Sequence, residues 1–170
     1  MFTVHATKKL LDRVKQPVVE PLVEPTNALG NWYATAIFWK PQVALFVDEQ
    51  TLPVLVPLAP ATTLLDRFPE ALLQVLAHDV DRAFVAAEMA ETRVAAYAEP
   101  NSGRDHERVH LPGGHMEEDF GPDNLLRIAL DLSKTPCGPL YRRHVSPDRE
   151  LRNLVESWLD STSGTAIVST

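Results

Sequence analysis

Hydrophobic and polar positions alternate along this chain in segments whose period changes from place to place. Phe2 to Ala6 is short, apolar and β-rich and predicts a strand. Thr7 then stands at the cap position of a brief helix, Lys8 to Val14, whose Leu10, Leu11 and Val14 share a side. Pro17, Pro21 and Pro25 forbid helix and interior strand, so 16–27 reads as an extended surface connection, with the spacing of a polyproline-type ligand as a secondary reading. From Trp32 the pattern becomes that of three strands. Trp32 to Trp39 is aromatic and β-branched, Pro41 marks a turn, Val43 to Val47 is continuously apolar, and 48–50 turns again into 51–58. Short turns between consecutive strands predict an antiparallel meander over 31–58.

Helical periodicity follows. Thr62 or Thr63 caps Leu64 to Phe68, and Pro69 suits the first turn of a second helix through Ala77, with Leu72, Leu73, Val75 and Leu76 in its apolar set. Asp81 to Glu91 is a third, alanine-rich helix. Residues 92–98 form a strand that Pro100 to Gly103 ends, and 108–111 pairs back as a hairpin. Met116 to Leu132 is helical, split at Gly121-Pro122, with Leu125, Ile128, Ala129 and Leu132 inward. A last helix from Pro147 to about Leu159 carries Leu151, Leu154, Val155 and Trp158. The expected fold is α+β: an antiparallel sheet of about five strands, namely the meander, 92–98 and the N-terminal strand, with four or five helices mainly on one face. Residues 1–160 make a single domain and 161–170 a flexible C-terminal tail.

Length and composition agree with one ordinary core. The chain has 170 residues, 45% of them hydrophobic. Such a chain buries roughly 70% of its unfolded surface and needs no metal or disulfide to fold. Its one cysteine, Cys137, excludes an internal bridge and a cysteine-based zinc site. The N-terminus lacks a signal-peptide pattern and no apolar run approaches a membrane span, so a soluble, cytoplasmic protein without membrane contact is expected. A formal charge of −7 disfavours nucleic acid as a partner.

Thr7-Lys8-Lys9-Leu10-Leu11, Leu29-Gly30-Asn31-Trp32-Tyr33-Ala34 and Leu45-Phe46-Val47-Asp48-Glu49-Gln50-Thr51 together resemble segments of an uncharacterised bacterial family of small domains of unknown function. Gly114-His115-Met116-Glu117 is a weaker match, and the proline-rich insert before Leu29 and the polar insert around Arg104 depart from the family pattern. The resemblance implies a similar α+β fold and no particular activity.

Four groupings carry candidate chemistry. His106, His110, His115 and Glu118 have donors suited to a divalent metal, and hence to a hydrolase or nuclease, but their spacing matches no zinc motif and equally suits a solvated loop. Gly113-Gly114 lacks the Lys-Ser/Thr of a phosphate loop. Arg142, Arg143 and Arg149 make a basic group that fits a nucleic-acid accessory role, and Lys8, Lys9, Arg13 and Lys15 make a second, smaller one. Finally, alternation along 32–39 puts Trp32 and Phe38 on one face and Tyr33 and Trp39 on the other. One set is core; the other, taken as Tyr33 and Trp39, is the expected interface for a protein partner or for self-association. Cys137 has no neighbouring histidine, and no nucleophile elbow occurs. The expected function is therefore a non-catalytic binding module, with no cofactor required.

Overall fold

The structure is a computed structural model; it describes residues 2–18, 24–48, 52–91, 95–98, 122–136 and 146–165. Within these the chain is α+β. Strand β1 (Phe2–Ala6) and helix α1 (Lys8–Val14) lead into β2 (Trp32–Ile37), β3 (Val43–Asp48) and β4 (Pro53–Pro57). Helices α2 (Leu64–Asp79) and α3 (Arg82–Glu91), strand β5 (Ala95–Ala98), and helices α4 (Pro122–Lys134) and α5 (Pro147–Thr165) complete it.

The five strands lie in the order β4-β3-β2-β1-β5. The meander is antiparallel as the short turns dictate, with Tyr33 opposite Val47 and Leu45 opposite Leu55. The sheet as a whole is mixed rather than antiparallel: β1 runs parallel to both neighbours, with Val4 opposite Trp32 on one side and Tyr97 on the other. The cause is the connection over 7–31. It holds α1 and, at 25 residues, is long enough to return the chain to the starting end of the sheet, which is what the β1–β2 parallel pairing needs.

Alternation sorts the strands into two faces. Phe2, Val4, Trp32, Ala34, Phe46 and Tyr97 point to the face that α2 covers, where Phe68 inserts its ring 5.7 Å from Phe2, 4.9 Å from Trp32 and 4.5 Å from Phe46. Helix α4 packs beside β4 and α2, while α3 and α5 pack chiefly on that helical layer, with Trp158 edge-on to Phe84.

Helix α2 is one continuous element, whereas Pro69 had suggested two. Proline inside a helix costs about 3 kcal/mol. Leu64, Phe68, Leu72 and Leu76 are each fully buried on one stripe through that position, and each such side chain contributes roughly 1.5–3 kcal/mol. The stripe outweighs the break. Leu73 faces outward instead, 41% exposed. Helix α5 runs to Thr165, past the expected end near Leu159 and into the segment read as a tail.

Three local devices fix the loops. Gly30 takes a positive φ of 78°, and the next residue, Asn31, accepts the Thr3 backbone N–H on its Oδ1 at 3.1 Å, tying the start of β2 to β1. Buried Asp48 accepts the Leu52 N–H on Oδ1 at 2.7 Å and so closes the β3–β4 turn. Glu88 of α3, only 2% exposed, accepts the Asn27 Nδ2 at 2.7 Å, the Ala28 N–H at 3.0 Å and the Leu29 N–H. Burial raises its pKa above the ordinary carboxylate value against the pull of those three donors.

Candidate functional site

The most exposed large apolar side chain among the described residues is Phe38, at 57%. It stands where β2 has ended, at the start of the connection 38–42 that turns into β3. Because the strand stops at Ile37, the alternation that would place Phe38 beside Trp32 no longer applies, and the ring faces outward. Its neighbour Trp39 is half-buried and packs against the core.

Helix α1 brings cations to this ring. Leu10 and Val14 are buried and set the rotation of the helix, which leaves Arg13 on the side toward the tip. Its guanidinium lies 5.4 Å from the Phe38 ring centroid and donates to Gln42 Oε1. An arginine over an aromatic face is attracted by the ring quadrupole, by about 0.5–1 kcal/mol at exposed sites. Lys9 is one turn before Arg13 on the same side of the helix, and Lys40 lies in the tip itself; both are exposed. The helix closes on Lys15, which adopts the left-handed conformation at φ 52° and donates its N–H to the Leu11 carbonyl. Thr7 occupies the cap position, but its hydroxyl pairs with Thr35 Oγ1 at 3.0 Å instead of capping the helix.

The expected interface pair is placed differently. Tyr33 is buried, 8% exposed, and stacks on His5 with centroids 5.1 Å apart, so its ring offers no surface to a partner. Trp39 retains partial exposure beside Phe38. Of the basic group, Arg149 is exposed on α5, whereas Arg142 and Arg143 lie outside the described residues. His106, His110, His115 and Glu118 also lie outside them, as do Gly113-Gly114 and Cys137. Among the described residues no group of three His, Cys, Asp or Glu side chains is arranged to hold a metal ion.

Two further features were not foreseen. A groove of 260 Å³ lies between β4, α2 and α4, lined by Leu55, Val56, Ala71, Leu125 and Ala129, with Arg67 and Glu70 beside them. Arg67 is occupied with structure: it donates to the carbonyls of Pro57 at 2.7 Å and Pro60 at 2.8 Å, clasping the chain between β4 and α2. On the α2 face, the buried hydroxyl of Tyr97 has no hydrogen-bond partner among the described residues, and burial pushes its pKa up to about 12.

A family model for a domain of unknown function, DUF6933, matches residues 3–150. The chain belongs to the DUF6933 family. No curated protein and no solved structure matches it. The match runs from the second residue of β1 to the first turn of α5, so it takes in the whole sheet, the hairpin tip and α1. The segments that resemble a family of domains of unknown function have structural roles in the fold. Leu10 anchors α1, Gly30 and Asn31 start β2, and Asp48 closes the β3–β4 turn. Among the described residues no helix is long and apolar enough to cross a membrane.

Proposed function

We propose that this DUF6933 domain is a non-catalytic, cytoplasmic binding module that meets a protein partner through the tip of the β2–β3 hairpin and the adjoining side of α1. The observation that carries the reading is the pairing of exposed Phe38 with the Arg13 guanidinium. Single exposed apolar residues are commonplace and need no explanation. This one differs in having an arginine laid on its ring and a half-buried tryptophan beside it, and aromatic residues and arginine dominate the energetics of interface centres. A phenylalanine contributes roughly 150–250 Å² of burial, and more than half of this one is open to water. Covering that exposed part is worth roughly 2–3 kcal/mol. That is a useful anchor, too small to act alone, so the surrounding side chains must contribute.

A photo-crosslinking amino acid at position 38 in cells expressing the full chain tests this, with position 73 on α2 as the exposed control. The reading expects a discrete adduct of defined mass at position 38, absent at position 73 and lost when Arg13→Glu is added. Identical patterns at both positions, or no adduct at either, would refute it.

A further inference from the structure

The charge distribution around Phe38 identifies the chemistry of the partner. The chain carries 16 Lys and Arg against 23 Asp and Glu. Five of those cations, Lys8, Lys9, Arg13, Lys15 and Lys40, lie on α1, its C-cap and the hairpin tip, all of them exposed, and Asp12 is the one acid within these segments. Lys8 stands one turn before Asp12, the spacing at which opposite charges on a helix offset each other. Arg13 lies over the exposed Phe38 ring and Lys40 follows two residues after it in the tip, on a chain whose net charge is −7. Resting on the reading that this tip is the contact surface, we propose that its partner is an acidic polypeptide segment, carrying Asp or Glu side chains around an apolar residue that packs on Phe38.

A peptide fits this surface better than an extended polyanion. Opposite charge at the rim speeds encounter and fixes register, while an apolar centre supplies affinity. The net charge of −7 opposes an extended polyanion over the surface as a whole. Helix α1 has seven residues and so spans about 10 Å. That is short for a single-stranded nucleic acid, whose binding tracts occupy ~4–16 nucleotides, but enough for two or three carboxylates of a peptide. One face of the Phe38 ring is already taken by Arg13, which leaves a single apolar face for one side chain.

Selection of random dodecapeptides displayed on phage against the folded full chain tests the proposal, with a Phe38→Ser/Arg13→Glu variant used for counter-selection. Both substituted side chains are exposed, and a thermal melt within a few degrees of the parent confirms that the variant folds. The expected pool is rich in Asp and Glu about a conserved apolar position. Its binding falls at least fivefold between low and physiological salt and at least tenfold in the variant. A pool of neutral peptides that still needs Phe38 would overturn the acidic-partner inference and leave the contact surface standing. Peptides that bind the variant equally well would overturn both. A twelve-residue oligothymidine that binds more tightly than any selected peptide would replace the peptide with nucleic acid.

Discussion

Replacing Glu88 by alanine removes the acceptor for three donors at once: the Asn27 side-chain amide and the N–H groups of Ala28 and Leu29. Ala28 is half-buried and Leu29 fully buried, so the two backbone donors lose their partner where water reaches them poorly. A buried donor left unsatisfied costs about 1–3 kcal/mol. Asn27 is half-buried and rehydrates in part, and the shortened side chain leaves a small void. The total is about 2–4 kcal/mol. For a chain of this size each kcal/mol lowers Tm by about 2–4 °C, so Glu88→Ala melts roughly 4–16 °C below the parent. Hydrogen exchange supplies the local readout, with Ala28 and Leu29 amides losing protection before those of β3. A Tm within about 2 °C of the parent, with protection at Ala28 and Leu29 unchanged, would refute the reasoning.

Further outcomes follow from the same geometry. Because burial raises the Glu88 pKa, its contribution is complete below the unfolded carboxylate pKa and declines as pH climbs through the raised folded value. Urea titrations should therefore show the stability of the parent falling relative to Glu88→Gln as pH rises from 4, and a parent that gains on the variant over that range would contradict the assignment. Phe68→Ala empties the ring site between Phe2, Trp32 and Phe46; calorimetry should register a loss of about 3–5 kcal/mol. Lys15→Gly relieves a non-glycine residue at φ 52° and should stabilise the chain by about 0.5–1 kcal/mol in the same assay. Tyr97, pushed up to about 12 by burial, should give an ultraviolet titration step there, and Tyr97→Phe should remove it.

How much of this was legible in the sequence varies from residue to residue. The apolar run 43–47 and the turns that flank it specify β3 and its antiparallel neighbours locally, and the stripes of α4 and α5 declare themselves by period. The direction of β1 is different. Its alternation of Phe2, Val4 and Ala6 with Thr3 and His5 marks the two faces but not the direction of the strand, which follows from where a long proline-rich connection ends. Pro69 misled because a local cost is visible in sequence whereas the buried stripe that overrides it is a tertiary fact. Glu88 looks like a surface residue of an alanine-rich helix, because its partners lie some sixty positions earlier. At the tip, alternation was extended two residues beyond the strand, which put Phe38 on the side of Trp32. Tyr33 does lie on the face opposite Trp32, but that position is buried against His5, a tertiary contact the strand pattern does not carry.

The same tip carries the account's central claim, that the working surface of this domain is Phe38 with the cations of α1. Backbone amide shifts of the isotopically labelled chain, titrated with an acidic peptide from the selection, test it directly. The account predicts shifts concentrated in residues 8–15 and 37–42. Shifts concentrated instead at Leu55, Ala71 and Leu125 in the groove beside β4, or within residues 105–119, with the tip unmoved, would contradict it.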